Sequence, residues 1–239
     1  MTRKTVAAGS GQALSMFALY RLMAWLSPAY PIGAFSYSSG IEWAIEAGDI
    51  SNAETLKRWL TVMLTMSSGF CDAVFLTHSY RAIVENNNSL LGEVANLAVA
   101  FASSKERFIE TSAQGQAFLS TTRAAWPCPA LDRLSAIWDG PVALPIAVGV
   151  ASAGHDVPVA PAVHAYLQSL IANLISAGVR LVPLGQTDGQ HMIAAMGRDI
   201  FTTAERALNA TLDEIGTSAF RADLASMHHE TQYTRLFRS

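Results

Sequence analysis

Charged side chains are scarce in this 239-residue chain: they make up 15% of it, against 51% hydrophobic residues, where about a quarter is usual for soluble domains. A chain so poor in charge is expected to cover part of its surface with a partner or a membrane. Its 16 basic and 19 acidic residues leave a net charge of −3 with no basic block, which argues against the clustered Lys/Arg footprint of a nucleic-acid binder. Cysteine is nearly absent. Cys71 and Cys128 are too few for a disulfide framework or a four-thiolate zinc site. They read as free thiols of a reducing, cytoplasmic compartment.

Signatures of catalysis are missing too. There is no G-x-x-x-x-G-K-[ST] loop to surround phosphates, no G-x-S-x-G and no H-E-x-x-H. The stretch "GQTDGQ", residues 185–190, has two glycines but no lysine. None of the six histidines forms an i, i+4 pair, and neighbours such as His228 and His229 point about 100° apart on a helix and rarely chelate one ion. The expectation is no resident metal or cofactor, and a tail that is solvated or faces a partner. A secretory signal is not evident, because Arg21 interrupts the apolar "ALSMFALY" start. Val157 to Val179 lacks all four charged residue types and is long enough to span a bilayer. It also contains Pro158, Pro161, His164, Gln168 and Asn173, so a buried or subunit-contacting helix is the better reading.

What is present is helical periodicity. Leu19, Leu22, Met23 and Leu26 form one apolar stripe. Ser51-Asn52-Ala53-Glu54 reads as a capping box closed by Ser51 and Glu54. A stripe from Leu56 to Leu64 follows, with a break near Gly69 and a further helix from about Phe70 to Val84. "NNN" at 86–88 marks a turn, and another helix begins near Ser89. Ser103 to Thr122 reads as an amphipathic helix carrying Lys105, Glu106, Arg107 and Glu110. The two prolines of "WPCPA" (126–130) break the chain again. The small-residue run Gly140 to Ala153 is expected at the centre, "GHDVPVAP" as a loop, and Val163 to Ile175 as seven apolar positions on one face. Sustained strand alternation is absent. The expected fold is one all-α domain, a bundle of about nine to eleven helices. Residues 1–13 are expected as a flexible start, 14–226 as the helical domain and 227–239 as a partner-docking tail.

Three stretches attract attention. "SPAYPIGAFSYSSGIEWAIEAG", residues 27–48, reads as a rigid entry set by Pro28, Pro31 and Gly33 into a helix starting near Phe35 or Ser36. Ile41, Ala44 and Ile45 would face the core; Tyr37, Glu42 and Glu46 would be left for solvent or a partner. For Glu42, two readings stand: a favourable charge near a helix N-terminus, or an acidic spot that meets a cation. In "PLGQTDGQ", residues 183–190, Pro183 forces a stop and Thr187 or Asp188 is a candidate cap. Gln186, Asp188 and Gln190 belong either to a tight joint or to a partner contact. The tail "MHHETQYTRLFRS" carries Tyr233, Arg235, Leu236, Phe237 and Arg238, types enriched at binding hot spots, and reads as a segment that orders when a partner arrives.

These three stretches together resemble the signatures of the urease accessory protein F family, UreF; residues 103–119 fit its middle helix more loosely, and the resemblance runs from about Leu14 to the last residue. It implies an all-helical homodimer that binds a second accessory protein, UreD (also called UreH), and the GTPase UreG. The assembly loads nickel into apo-urease. The chain itself would be a non-catalytic scaffold, the nickel and GTP belonging to its partners. Carried over by position, Tyr233, Arg235, Leu236 and Phe237 would help dock UreD. His228-His229 departs from the expected Arg-His pair. An alternative is a GTPase-activating protein with an arginine finger, for which Arg107, Arg123 and Arg180 are the candidates.

Overall fold

A computed structural model describes residues 14–238. Among them are eleven α-helices and no strand: α1 (Met16–Trp25), α2 (Ile41–Glu46), α3 (Ala53–Met66), α4 (Ser68–Val84), α5 (Asn88–Ala100), α6 (Lys105–Ala125), α7 (Pro129–Ile137), α8 (Leu144–Gly154), α9 (Val159–Leu181), α10 (Gln186–Asn209) and α11 (Phe220–His229). The all-α expectation is met. The flexible start expected for residues 1–13 lies outside the described residues.

Local chemistry sets the boundaries. Polar N-caps open several helices: Ser15 accepts the Ala18 amide at 3.1 Å, Asn87 that of Leu90 at 3.0 Å and Ser104 that of Arg107 at 3.1 Å. The capping box of α3 sits one residue later than the sequence suggests. Asn52 is the cap and Thr55 its partner: the Asn52 side chain accepts the Thr55 amide at 3.0 Å, and the Thr55 hydroxyl accepts the Asn52 amide at 3.0 Å. The shorter threonine reaches back where Glu54 was expected to. The break expected near Gly69 falls at Ser67 (φ −146°, ψ −139°), and a Cβ on Gly69 would lie 2.7 Å from the Leu64 carbonyl.

Helix α8 is the hub. Pro145 to Ser152 are all buried, and α8 packs against α4, α5, α6, α7 and α9. Its small residues make this possible, as anticipated from composition. Gly149 faces α4 so closely that a Cβ there would come within 2.5 Å of the Leu76 carbonyl. Around this pair, Phe70, Phe75, Leu76 and Ile146 are excluded from solvent, and each such side chain contributes roughly 1.5–3 kcal/mol on burial.

Three expectations need correction. In α1 the buried stripe is Ala18, Leu22 and Trp25, while Met23 is exposed beside Met16, Phe17 and Tyr20. In α9 the face proposed for subunit contact is spent inside the chain: Val163, Tyr166, Leu167, Ile171, Leu174 and Ile175 are buried, and α9 packs on α3, α4, α8 and α10. In α6, Glu106, Glu110 and Gln114 are buried rather than solvated. Two stretches, Ala53–Val84 and Val159–Leu181, pass a length-and-apolarity test for crossing a membrane, but 67% and 56% of their apolar windows are buried against other parts of the fold, and the first is broken at Ser67.

Gly149→Ala is expected to destabilise the fold by roughly 1–3 kcal/mol through overpacking of α8 on α4. Urea denaturation followed by circular dichroism measures it; Gly197→Ala, where an added Cβ meets nothing within 4 Å, serves as the control.

Candidate functional site

The opening stretch is a framed loop rather than a helix. After Pro28 and Pro31 the chain passes Gly33 (φ 72°), a short 3-10 turn over Ala34–Ser36, and Gly40 (φ 81°) before α2 begins at Ile41. The helix start expected near Phe35 thus falls at Ile41. Side chains of α9 satisfy the loop's carbonyls: Ser169 Oγ donates to Leu26 O, Asn173 Nδ2 to Ala34 O and Arg180 Nη2 to Phe35 O, each at 3.0 Å. The Tyr30 hydroxyl pairs with Thr122 at 2.8 Å. Gly40 is needed twice: only glycine takes its φ at no cost, and a Cβ would lie 2.7 Å from the Ser226 amide nitrogen of α11.

That close approach brings the opening loop and the C-terminal tail together. Glu42, only 7% exposed, accepts the Leu236 amide at 2.7 Å through Oε1 and the Phe237 amide at 3.0 Å through Oε2. The same Oε2 lies 3.1 Å from His229 Nε2. The opposite ring nitrogen, Nδ1, lies 2.8 Å from Glu106 Oε2, and Arg235 Nη1 donates to Glu106 Oε1 at 3.0 Å. His229 has no exposed surface at all. Burial pushes the Glu106 carboxyl above its usual range, against the pull of His229 and Arg235. Further ties fix the tail: Gln232 Nε2 donates to Glu46 at 2.6 Å, Glu230 accepts the Lys105 amide at 3.0 Å, and the Arg238 amide donates to Ser36 O at 2.8 Å. Phe237 is buried, with the Arg180 guanidinium 4.4 Å above its ring.

Several sequence-based assignments change here. Tyr37 and Glu42 are buried, not left for solvent; Glu42 meets the His229 ring and two tail amides of its own chain. Glu46 is exposed but engaged by Gln232. The tail already lies on the body without a partner, and α11 carries it past residue 227 as far as His229. His228 stacks on Trp43 (4.7 Å, 15°) while remaining exposed. Within the tail the side chains divide: Phe237 points in, Arg235 is spent on Glu106, and Tyr233 and Leu236 are exposed, Leu236 by 77%. Gln186, Asp188 and Gln190 lie elsewhere, exposed on the first turn of α10. There Asp188 accepts the Gly185 amide at 2.9 Å, so it caps the helix start.

A second buried network stands behind the loop. Ser39 Oγ donates to Glu110 at 3.1 Å, Arg107 pairs with Glu110 at 2.7 Å, and the Tyr166 hydroxyl donates to Asp72 at 2.8 Å. Burial pushes the Asp72 carboxyl up to about 6 against the pull of Arg107, and pushes the Tyr166 hydroxyl well above its usual range. All three arginine-finger candidates are engaged within the chain. Arg107 sits in this network, Arg123 donates to the Leu131 carbonyl at 2.6 Å, and Arg180 holds Phe35. Among the described residues no group of three or more His, Cys, Asp or Glu side chains is placed to hold a metal; His229 meets its carboxylates on opposite edges of the ring, which bridges them rather than chelating an ion. Sequence reasoning missed Glu106, His229, Ser39, Asp72 and Tyr166. The signal for α6 was there: Glu106, Glu110 and Gln114 recur every fourth residue, which is one helical face.

Two outcomes follow from these charges. His229→Ala leaves two carboxylates buried without their shared partner and is expected to cost about 3–5 kcal/mol in urea denaturation. Asp72 holds its proton more tightly in the folded chain than at its ordinary 3.8. Its contribution to stability is therefore full below about pH 4 and lost as the pH rises through about 6. Asp72→Asn keeps the neutral form throughout, so its stability relative to the unmodified chain is expected to rise by roughly 2–3 kcal/mol between about pH 4 and pH 7, read from paired thermal melts.

Comparison with known proteins identifies the family. The UreF family profile matches residues 50–197. The urease accessory protein UreF of Bradyrhizobium sp. (strain ORS 278) is 58% identical over 222 residues, covering 93% of this chain and 92% of its own. That of Rhodopseudomonas palustris (strain BisB18) is 56% identical over the same length and the same shares. That of Bradyrhizobium diazoefficiens is 54% identical over 238 residues, 100% of this chain and 98% of its own. The chain belongs to the UreF family of urease accessory proteins.

Proposed function

We propose that this chain is a non-catalytic scaffold in urease maturation, whose C-terminal tail docks the accessory protein UreD (UreH). In this reading it works as a cytoplasmic homodimer that also recruits the GTPase UreG, and the assembly inserts nickel into apo-urease. It needs no cofactor of its own; nickel and GTP belong to its partners. Family membership supports the role in urease maturation.

The observation that carries the docking assignment is the division of the tail. Its backbone is held by a buried carboxylate, and the side chains left outside are Tyr233 and Leu236. A tyrosine and a leucine on a fixed backbone offer apolar area with little ordering left to do on binding, the economy expected of a hot spot. The exposed apolar face of α1, formed by Met16, Phe17, Tyr20 and Met23, supports a life within an assembly. The α9 face, spent in the core, no longer argues for the dimer.

Replacing Tyr233 and Leu236 together by alanine is expected to change folding stability by no more than about 0.5 kcal/mol, because both side chains stand in solvent. The same change is expected to weaken binding to UreD by about thirtyfold or more. Calorimetric titration against purified UreD, beside a thermal melt of the variant alone, checks both halves. Unaltered UreD binding would refute the docking assignment.

A further inference from the structure

Two buried carboxylates share one buried imidazole, and the geometry counts protons. Each of the two N···O contacts, 3.1 Å on one side of the His229 ring and 2.8 Å on the other, needs a proton between its atoms. A neutral imidazole supplies one. With both carboxyls ionised, the second contact would then set a ring lone pair against a carboxylate oxygen, at a side chain with no exposed surface, where no water relieves the repulsion.

We propose that Glu42, His229 and Glu106 form a proton-dependent latch: with both ring nitrogens protonated, residues 230–238 lie on the body with Tyr233 and Leu236 outward, and loss of one proton releases them. Glu42 transmits the change, because the carboxylate that faces the ring also holds the Leu236 and Phe237 amides.

The surrounding charges do not substitute for that proton. Arg235 answers Glu106 alone, at 3.0 Å, and reaches the His229 carbonyl at 3.5 Å. Glu230 from the tail adds negative charge and is occupied by the Lys105 amide. On α2, Glu46 is taken by Gln232. On α11, His228 is stacked on Trp43 and Arg221 is paired with Asp49 at 2.8 Å. On α6, Arg107 is committed to Glu110 at 2.7 Å, and Arg180 of α9 lies over Phe237. Without the second ring proton, two buried carboxylates face one arginine.

The latch is a property of the chain alone; its effect on docking rests on the reading above. The test uses the full chain without partners. Hydrogen exchange of the Leu236 and Phe237 amides is followed from about pH 6 to about pH 10, corrected with a free peptide of the tail sequence. Tail protection is expected to fall about tenfold or more, the loss of one charge-assisted hydrogen bond, while α8 keeps its protection. His229→Gln, which cannot change its proton count, is expected to flatten the tail's pH response. Nitrogen NMR of the unmodified chain at about pH 7 is expected to find both His229 ring nitrogens protonated, and this decides the matter if His229→Gln does not fold. Tail protection that tracks α8 across the range, or a singly protonated ring at neutral pH, overturns the latch. UreD binding that persists with the tail released overturns the docking assignment instead and leaves the latch standing.

Discussion

Charge taken out of water has to be answered at once, and in this protein one imidazole does the answering. His229 stands between Glu42 and Glu106 with no exposed surface. A single buried carboxylate costs several kcal/mol unless donors surround it. Two of the donors around Glu42 are backbone amides of the last few described residues. The path of the tail is therefore set by the need to satisfy Glu42, and the path of α11 by the need to place His229. Gly40 makes both feasible, since any side chain there would push α11 away from α2.

The helical core serves a different purpose. Helix α8, with its small residues pressed on α4, lets five helices converge closely. It fixes α6 and α9, and these present Glu106 and Arg180 to the loop and tail. Damage to the core and damage to the latch should thus separate: the first acts on the whole fold, the second on the seam between opening loop and tail.

Much of the fold was legible in the sequence because the cues were local. Breakers at 86–88 and 126–130 fell between helices, and the small-residue run lay at the centre. What misled was the assumption that polar means outside. Glu42, Glu106, Glu110 and the half-buried Asp72 follow helical spacing as well as any leucine, but the partners that draw them inward lie more than 50 residues away: His229, Arg235, Ser39 and Tyr166. Sequence periodicity shows which residues share a face; it does not show which faces are joined. The same blindness placed the α9 apolar face at a subunit contact, although α3, α4, α8 and α10 cover it. At the start of α3 the miss was smaller, since Asn52 with Thr55 makes the same reciprocal pair of bonds one residue later.

The tail shows why this distinction bears on recognition. From composition it reads as a segment that folds on binding, and such a segment spends part of its contact energy on becoming ordered. Here the ordering is intramolecular. Glu42 grips main-chain amides rather than side chains, so it holds the tail on the body whatever residues stand at 236 and 237, and the surrounding side chains decide which of them face out. Phe237 goes under Arg180 and Leu236 goes to solvent. A one-residue slip would exchange the two, bury the smaller residue and leave the Arg180 face empty. Main-chain amides alone would accept that slip; Arg235 on Glu106, Gln232 on Glu46 and the Phe237 ring under Arg180 forbid it, so the residues offered to a partner are selected by the protein's own interior.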